Sequence, residues 1–223
     1  MASLEIYGSV KTSAEYAYRT LEQMVVTLEL QPGSLTTEAE LQDRVGVGRT
    51  PVREAIQRLT WEGFLEIRPR AGIRIAPLEG HDWLRLMEVR RNIELVLARN
   101  AAENCTPAAR KMLERAGEMM SQAAADGHRA AFVAADKLFD QAVAEATGNC
   151  HLVRAAFPMQ SHTRRFWMHY YGFNHVEDGL KRHLRLADAI MLQDVGRAVR
   201  EARLLMSHLQ TEATTVVEHN AVA

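Results

Sequence analysis

GVGRTPVREAIQRLTWEGFLEIRPRAGIRI, residues 46–75, decides how the front of this chain folds. In its first half Val52, Ile56 and Leu59 recur at helical spacing, which predicts a helix capped by Thr50 with Pro51 in its first turn, where a missing N–H costs nothing. After Gly63 the period changes. Phe64-Leu65-Glu66-Ile67 and Ile73-Arg74-Ile75-Ala76 alternate around Arg68-Pro69-Arg70-Ala71-Gly72, the pattern of two strands joined by a Pro/Gly turn. Upstream, Thr37 with Glu40 three residues on forms a capping box over a short helix, Glu38 to Val45, which Gly46 closes. An earlier helix is expected from Thr12 to Leu30, stopped by Gln31-Pro32-Gly33. Two short helices around a glycine turn, followed by a hairpin, make a winged helix-turn-helix over residues 1–78.

Beyond Pro77-Leu78-Glu79-Gly80, which reads as a linker, everything is helical. Spans of 81–104, 107–126, 129–147, 151–171, 175–193 and 195–219 are separated by Thr106-Pro107, Gly127, Gly148-Asn149 and Gly172. Six amphipathic helices with short connections predict an antiparallel six-helix bundle over residues 79–223. The fold class is therefore mainly α, with one small β-hairpin wing.

Composition excludes several classes. With 47% hydrophobic and 25% charged residues in 223, the chain has the make-up of an ordinary folded protein. It has no run of about eighteen apolar residues to span a bilayer. MASLEIYGSV lacks the basic start and apolar stretch of a secretory leader, so a cytoplasmic protein with no membrane partner is expected. Cys105 and Cys150 are then reduced thiols, expected as small buried side chains, although a disulfide between them is possible in principle. Net charge is −1, but residues 44–74 hold seven arginines against Glu54, Glu62 and Glu66. All nine histidines follow residue 80. Arginine chemistry thus lies in front and histidine chemistry behind.

The N-terminal turn of a recognition helix is the part that enters the major groove. Arg49 and Arg53, four residues apart, leave one face of that turn, where each can pair bidentately with guanine or with a phosphate. Thr50 can donate its hydroxyl to a phosphate drawn by the helix's exposed N–H groups. Arg70 and Gly72 at the wing tip suit a minor groove, and Arg44 adds charge nearby. The alternative is a solvated face in which these arginines pair with Glu54 and Glu62.

The run Leu30-Gln31-Pro32-Gly33-Ser34-Leu35, then Glu38 to Leu41 (EAEL) and Gly46 to Ile75, resembles the GntR family of bacterial regulators. Arg49, Thr50, Arg53 and Gly72 match that family's DNA-contacting positions, while Gly48 stands where a hydroxyl residue is usual. The rear half is similar to the FCD effector domain of the family's FadR-like branch, in its six-helix, VanR-like form. The similarity lies in Met87 to Ala102, Asp136 to Asn149, Lys181 to Ile190 and Met206 to Leu209. It implies a homodimeric repressor of a palindromic operator on double-stranded DNA, released by a small carboxylate effector. It also implies a divalent metal (Zn, Mn or Ni) held by Asp136, His183 and His208, with Asp140 in place of the family's histidine. The separation of His183 from His208 is about one helical turn longer than usual there. A metal-free polar cavity is the other reading of these four residues. Arg90 matches the family's E-x-R arginine and is expected to grip the effector, with Arg164, Arg165 and His162 as further candidates; for Arg90 the alternative is an ion pair with Glu94. Two other functions fit parts of the chain. A metal-dependent enzyme would use the Asp/Asp/His/His cluster, and an architectural protein would bind DNA without sequence preference.

Overall fold

The computed structural model describes residues 12–170 and 176–220, with no side-chain placement for 219 and 220. Gly172 and His175, read above as a helix break and the start of the next helix, lie outside the described residues, as does the side chain of His219. The chain divides into two compact units, Met1–Leu78 and Glu79–Ala223.

In the first unit α1 (Ser13–Val26) starts on Thr12, whose hydroxyl accepts from the Glu15 N–H at 3.1 Å. It ends four residues before the expected Leu30. Leu28 turns into the left-handed region at φ 63°, and the chain swings Leu30 into the core instead of continuing the helix. β1 (Leu35–Thr36) was not anticipated. It is two residues long and carries no alternating pattern of its own. α2 (Glu38–Val45) has the full capping box, with Glu40 N–H to Thr37 Oγ1 and Thr37 N–H to Glu40 Oε2, and closes on Gly46 at φ 73°.

α3 (Arg49–Trp61) begins one residue before Thr50, so Gly48 and not Thr50 is its cap. With Gly48 as the cap, Pro51 is the third residue of the helix and offers no N–H, so a hydroxyl at position 48 could accept only from the Thr50 N–H. Val52, Ala55, Ile56 and Leu59 are buried along one face of α3, against Leu21 and Val25 on the buried face of α1. Each large side chain so buried contributes about 1.5–3 kcal/mol.

β2 (Leu65–Arg68) and β3 (Gly72–Ile75) pair antiparallel, and β1 adds to the other edge of β3 in the order β1-β3-β2. Leu65 opposes Ile75, and Thr36 opposes Ile73. Gly72 is required here. Its φ is +101°, and a Cβ would stand 2.7 Å from the Thr36 carbonyl oxygen.

The second unit is six helices: α4 (Gly80–Asn104), α5 (Pro107–Ala125), α6 (Arg129–Thr147), α7 (Cys150–Tyr170), α8 (Val176–Met191) and α9 (Val195–Asn220). α5 starts on a Thr106 cap with Pro107 in its first turn, and α6 ends on Gly148 at φ 62°. α4 is the hub, packing against α6, α7, α8 and α9. Its Trp83 is fully buried and stacks on Phe166 at 5.5 Å. Both cysteines are free thiols, but neither is a core residue. Cys105 caps the end of α4 and is half-buried, and Cys150 is exposed in the first turn of α7. No helix among the described residues is long and apolar enough to cross a membrane.

Candidate functional site

Arg49 and Arg53 leave the first turn of α3 on one exposed face, as their four-residue spacing requires. The acid that meets them is Glu38, at the start of α2. Its Oε1 accepts from Arg49 Nε at 2.9 Å and its Oε2 from Arg53 Nε at 3.2 Å. These hydrogen bonds, Arg49's first, hold the Glu38 carboxyl below the usual carboxylate range. One carboxylate thus sets both guanidinium groups side by side. Exposed pairs of this kind are worth little, so a phosphate or guanine can displace Glu38 at small cost.

The pairing with Glu54 and Glu62 offered as the alternative does not describe these two arginines. Arg58 is the one that meets Glu62, at 3.0 Å, with Glu15 at 3.3 Å. Its guanidinium lies 3.5 Å from the centre of the Tyr18 ring, whose hydroxyl donates to Glu62 at 2.7 Å. That cluster ties α3 to α1. Arg68 and Arg74 both face Glu66, so they too are engaged within the sheet. Arg44 meets Glu29 at 3.5 Å. Of the seven arginines in residues 44–74, Arg49, Arg53 and Arg70 present the most useful exposed chemistry.

Arg70 stands at the third position of the turn closed by Ala71 N–H to Arg68 O at 3.0 Å, with Pro69 second. Its φ is +66°, a conformation that glycine adopts without strain and other residues do not. Arg70→Gly is expected to relieve about 1 kcal/mol of backbone strain while weakening DNA binding. Thermal unfolding and a DNA titration on the same preparation check both signs.

In the helical unit a cavity of ≈ 50 Å³ opens among α4, α6, α7, α8 and α9. Arg90, Asp136, Arg164, His183 and Glu212 bring polar groups to it, and Phe132 and Trp167 are among its apolar walls. The volume suits a few water molecules or one small ligand group. Arg90 lines the cavity and is also paired, its Nε donating to Glu94 Oε1 at 2.9 Å, an oxygen that Gln160 reaches at 3.0 Å. Arg164 and Arg165 are both buried, but only Arg164 lines the cavity; Arg165 and His162 do not.

Three of the four residues read as metal ligands converge. Arg164 Nη1 donates to Asp136 Oδ2 at 2.9 Å and to Asp140 Oδ2 at 2.5 Å. His183 Nε2 lies 3.1 Å from Asp136 Oδ1, and its Nδ1 donates to the Gly179 carbonyl at 2.7 Å. Burial opposes charge on Asp136, but the His183 hydrogen bond and the Arg164 charge outweigh it and hold its carboxyl well below the usual range. Asp140 goes the other way. Burial, with the neighbouring Asp136 charge, pushes it up to about 6 against the pull of Arg164. Burial works against a charged His183, yet Asp136 raises it above the ordinary histidine value.

His208 does not join them. It lies 3.6 Å from Glu212 on its own helix, next to Gly179, and burial with the Arg182 charge lowers its pKa. Among the described residues no group of three or more His, Cys, Asp and Glu is arranged to hold a metal ion. The donor set therefore does not fit the four-ligand metal centre expected above, and a guanidinium sits between its two carboxylates. Glu212, buried and pushed up to about 7 by that burial, was missed as a cavity residue.

A winged helix-turn-helix with two exposed arginines on its third helix, and a helical bundle around a polar cavity, are the two parts of a bacterial DNA-binding regulator. Residues 13–75 match the bacterial regulatory proteins of the gntR family, and residues 85–211 match the FCD domain. The chain belongs to the GntR family, among its members with an FCD domain. Over 123 residues, 55% of this chain, it is 33% identical to a protein of Paenarthrobacter nicotinovorans named "Probable D-xylose utilization operon transcriptional repressor". That match spans 54% of the relative, so the chain accounts for about half its length. It is 30% identical to "HTH-type transcriptional repressor NanR" of Citrobacter rodentium, covering 92% of this chain and 85% of that one. In fold it is similar to E. coli McbR/YncC, with a TM-score of 0.79 at 17% identity, covering 94% of this chain and 99% of the other. The Paenarthrobacter and Citrobacter relatives are both named as transcriptional repressors.

Proposed function

We propose that this chain is a cytoplasmic repressor that binds a palindromic operator as a homodimer and is released by a small carboxylate received in the helical unit. The observation that carries the reading is the Arg49–Arg53 pair, set side by side by Glu38 on the exposed first turn of α3. Arg49 and Arg53 read base edges in the major groove, Thr50 and Arg44 contact phosphates, and Arg70 with Gly72 enters the adjacent minor groove. The names of the relatives support repression.

In the helical unit Arg90 and Arg164 receive the carboxylate, since these two of the four candidate groups line the cavity. Ligand binding changes DNA affinity by the difference in ligand affinity between the DNA-competent and DNA-incompetent states. The test is fluorescence anisotropy of a labelled duplex from the region upstream of the chain's own gene, titrated with protein in the presence of a panel of small carboxylates. At least one is expected to weaken DNA binding by about 5–150-fold, the usual span of allosteric coupling. Unchanged DNA affinity with every carboxylate, together with unchanged thermal stability, would remove the effector half of the proposal.

A further inference from the structure

Two carboxylates one helical turn apart, Asp140 buried and Asp136 half-buried, with an imidazole beside them, are the makings of a cation site. Here the cation is already part of the chain. Nη1 of Arg164 bridges Asp136 Oδ2 and Asp140 Oδ2, which is the place a divalent ion shared by the two carboxylates would take. Arg164 is 4% exposed and cannot swing into solvent without rebuilding the centre of the bundle. A guanidinium stays charged at any accessible pH, so a divalent ion brought beside it meets fixed like charge.

The neighbouring groups agree with this arrangement. Asp140 stands where a ligating histidine would be, and a carboxylate is the right partner for a guanidinium where an imidazole is not. A carbonyl oxygen can only accept, so the Nδ1 of His183 carries a proton. Its Nε2, the nitrogen left for a metal, is directed at the Asp136 carboxylate instead. His208 stands apart from the cluster, its buried Nε2 without a hydrogen-bond partner among the described residues and 3.6 Å from Glu212 on its own helix. Each of the four expected ligand positions is thus changed, occupied or displaced.

We infer that Arg164 takes the place of the metal ion in this helical unit, which recognises a small anion on fixed guanidinium groups without any divalent cation. For the identity of the ligand class this rests on the carboxylate-binding role proposed above; the replacement itself rests on the side chains. It carries a consequence for specificity. A 2-hydroxy or 2-keto acid gains from chelating a metal ion, and with no ion present it loses that advantage over a plain carboxylate of similar size.

The untagged full chain, titrated with ZnCl2, NiCl2 and MnCl2 alone, tests the inference by calorimetry and thermal unfolding. The wild type is expected to purify with substoichiometric metal, to unfold at the same temperature with or without EDTA, and to show no saturable one-to-one uptake. Asp140→His with Arg164→Leu is expected to create a three-ligand site with Asp136 and His183, taking up one zinc per chain with a rise in unfolding temperature. Adding Asp136→Ala to that variant should abolish the uptake. One equivalent of metal bound by the wild type and lost in Asp136→Ala would overturn the inference. So would a double variant that is folded by circular dichroism and takes up no zinc. If the double variant fails to fold, the wild-type titration and its Asp136→Ala control still decide. The metal measurements need neither DNA nor effector, so their failure is separate from failure of the proposed function.

Discussion

Arg164→Ala lowers the stability of the helical unit by about 3–5 kcal/mol, the usual cost of removing one partner from a buried ion pair. The side chain is buried on α7 and its Nη1 serves both Asp136 and Asp140 on α6. Truncation leaves two carboxylates one helical turn apart without the guanidinium between them, Asp140 buried and Asp136 partly open to the cavity. Asp140, already pushed up to about 6, takes a proton and limits the loss. Asp136 keeps His183, which prevents complete collapse of the site. In calorimetry on the full chain, the transition belonging to the helical unit should fall by roughly 10 °C, at about 2–4 °C per kcal/mol for a unit of this size. Arg164→Lys should recover only part of that, because the ammonium can replace Nη1 between the two acids but not Nη2, which reaches Ser161 Oγ at 3.4 Å. An unchanged transition would mean that the ion-paired centre does not hold the bundle together.

Arg49→Ala combined with Arg53→Ala is expected to reduce operator affinity to the level of non-specific DNA. A bidentate arginine–guanine pair is worth about 1–3 kcal/mol, and under the proposed homodimer on a palindrome it is lost in both half-sites, so either single variant is expected to cost at least about thirtyfold. The fold should not suffer. Both arginines are exposed, and surface pairs such as theirs with Glu38 add little to stability. The response of the rear unit to carboxylates should match wild type. Glu38→Gln gives the complementary result. It keeps the shape of the side chain but loosens the arginines, so a mild loss of specificity is expected rather than loss of binding.

Much of this arrangement was legible in the residues, and the parts that were not share a cause. Local signals were dependable: the Thr37–Glu40 capping box, Gly46 and Gly148 at helix ends, and the change from helical to alternating period after Gly63. Thr50 misled because a hydroxyl residue directly before a proline is a good cap signal, whereas the helix starts one residue earlier on Gly48, which has no side chain to mark it. β1 is too short to carry a period. The contacts that define the two sites join positions far apart in sequence. Glu38 meets arginines 11 and 15 residues away, and Arg164 meets acids 28 and 24 residues away on another helix. No spacing rule within one helix reaches across such intervals. The substitution at Asp140 and the long His183–His208 interval were both visible signs that the metal centre had changed. What the sequence did not reveal was the side chain that replaced the ion. Glu212 left a fainter trace, an acid four residues after His208 on the same helix face.

Specific binding of the duplex upstream of the chain's own gene, measured by anisotropy against excess unrelated DNA, tests the central claim most directly. The account predicts a saturable complex that survives the competitor, weakens steeply with salt, and disappears in the Arg49→Ala/Arg53→Ala variant while its circular dichroism is unchanged. No complex at low salt, or one that the double variant forms equally well, would contradict it.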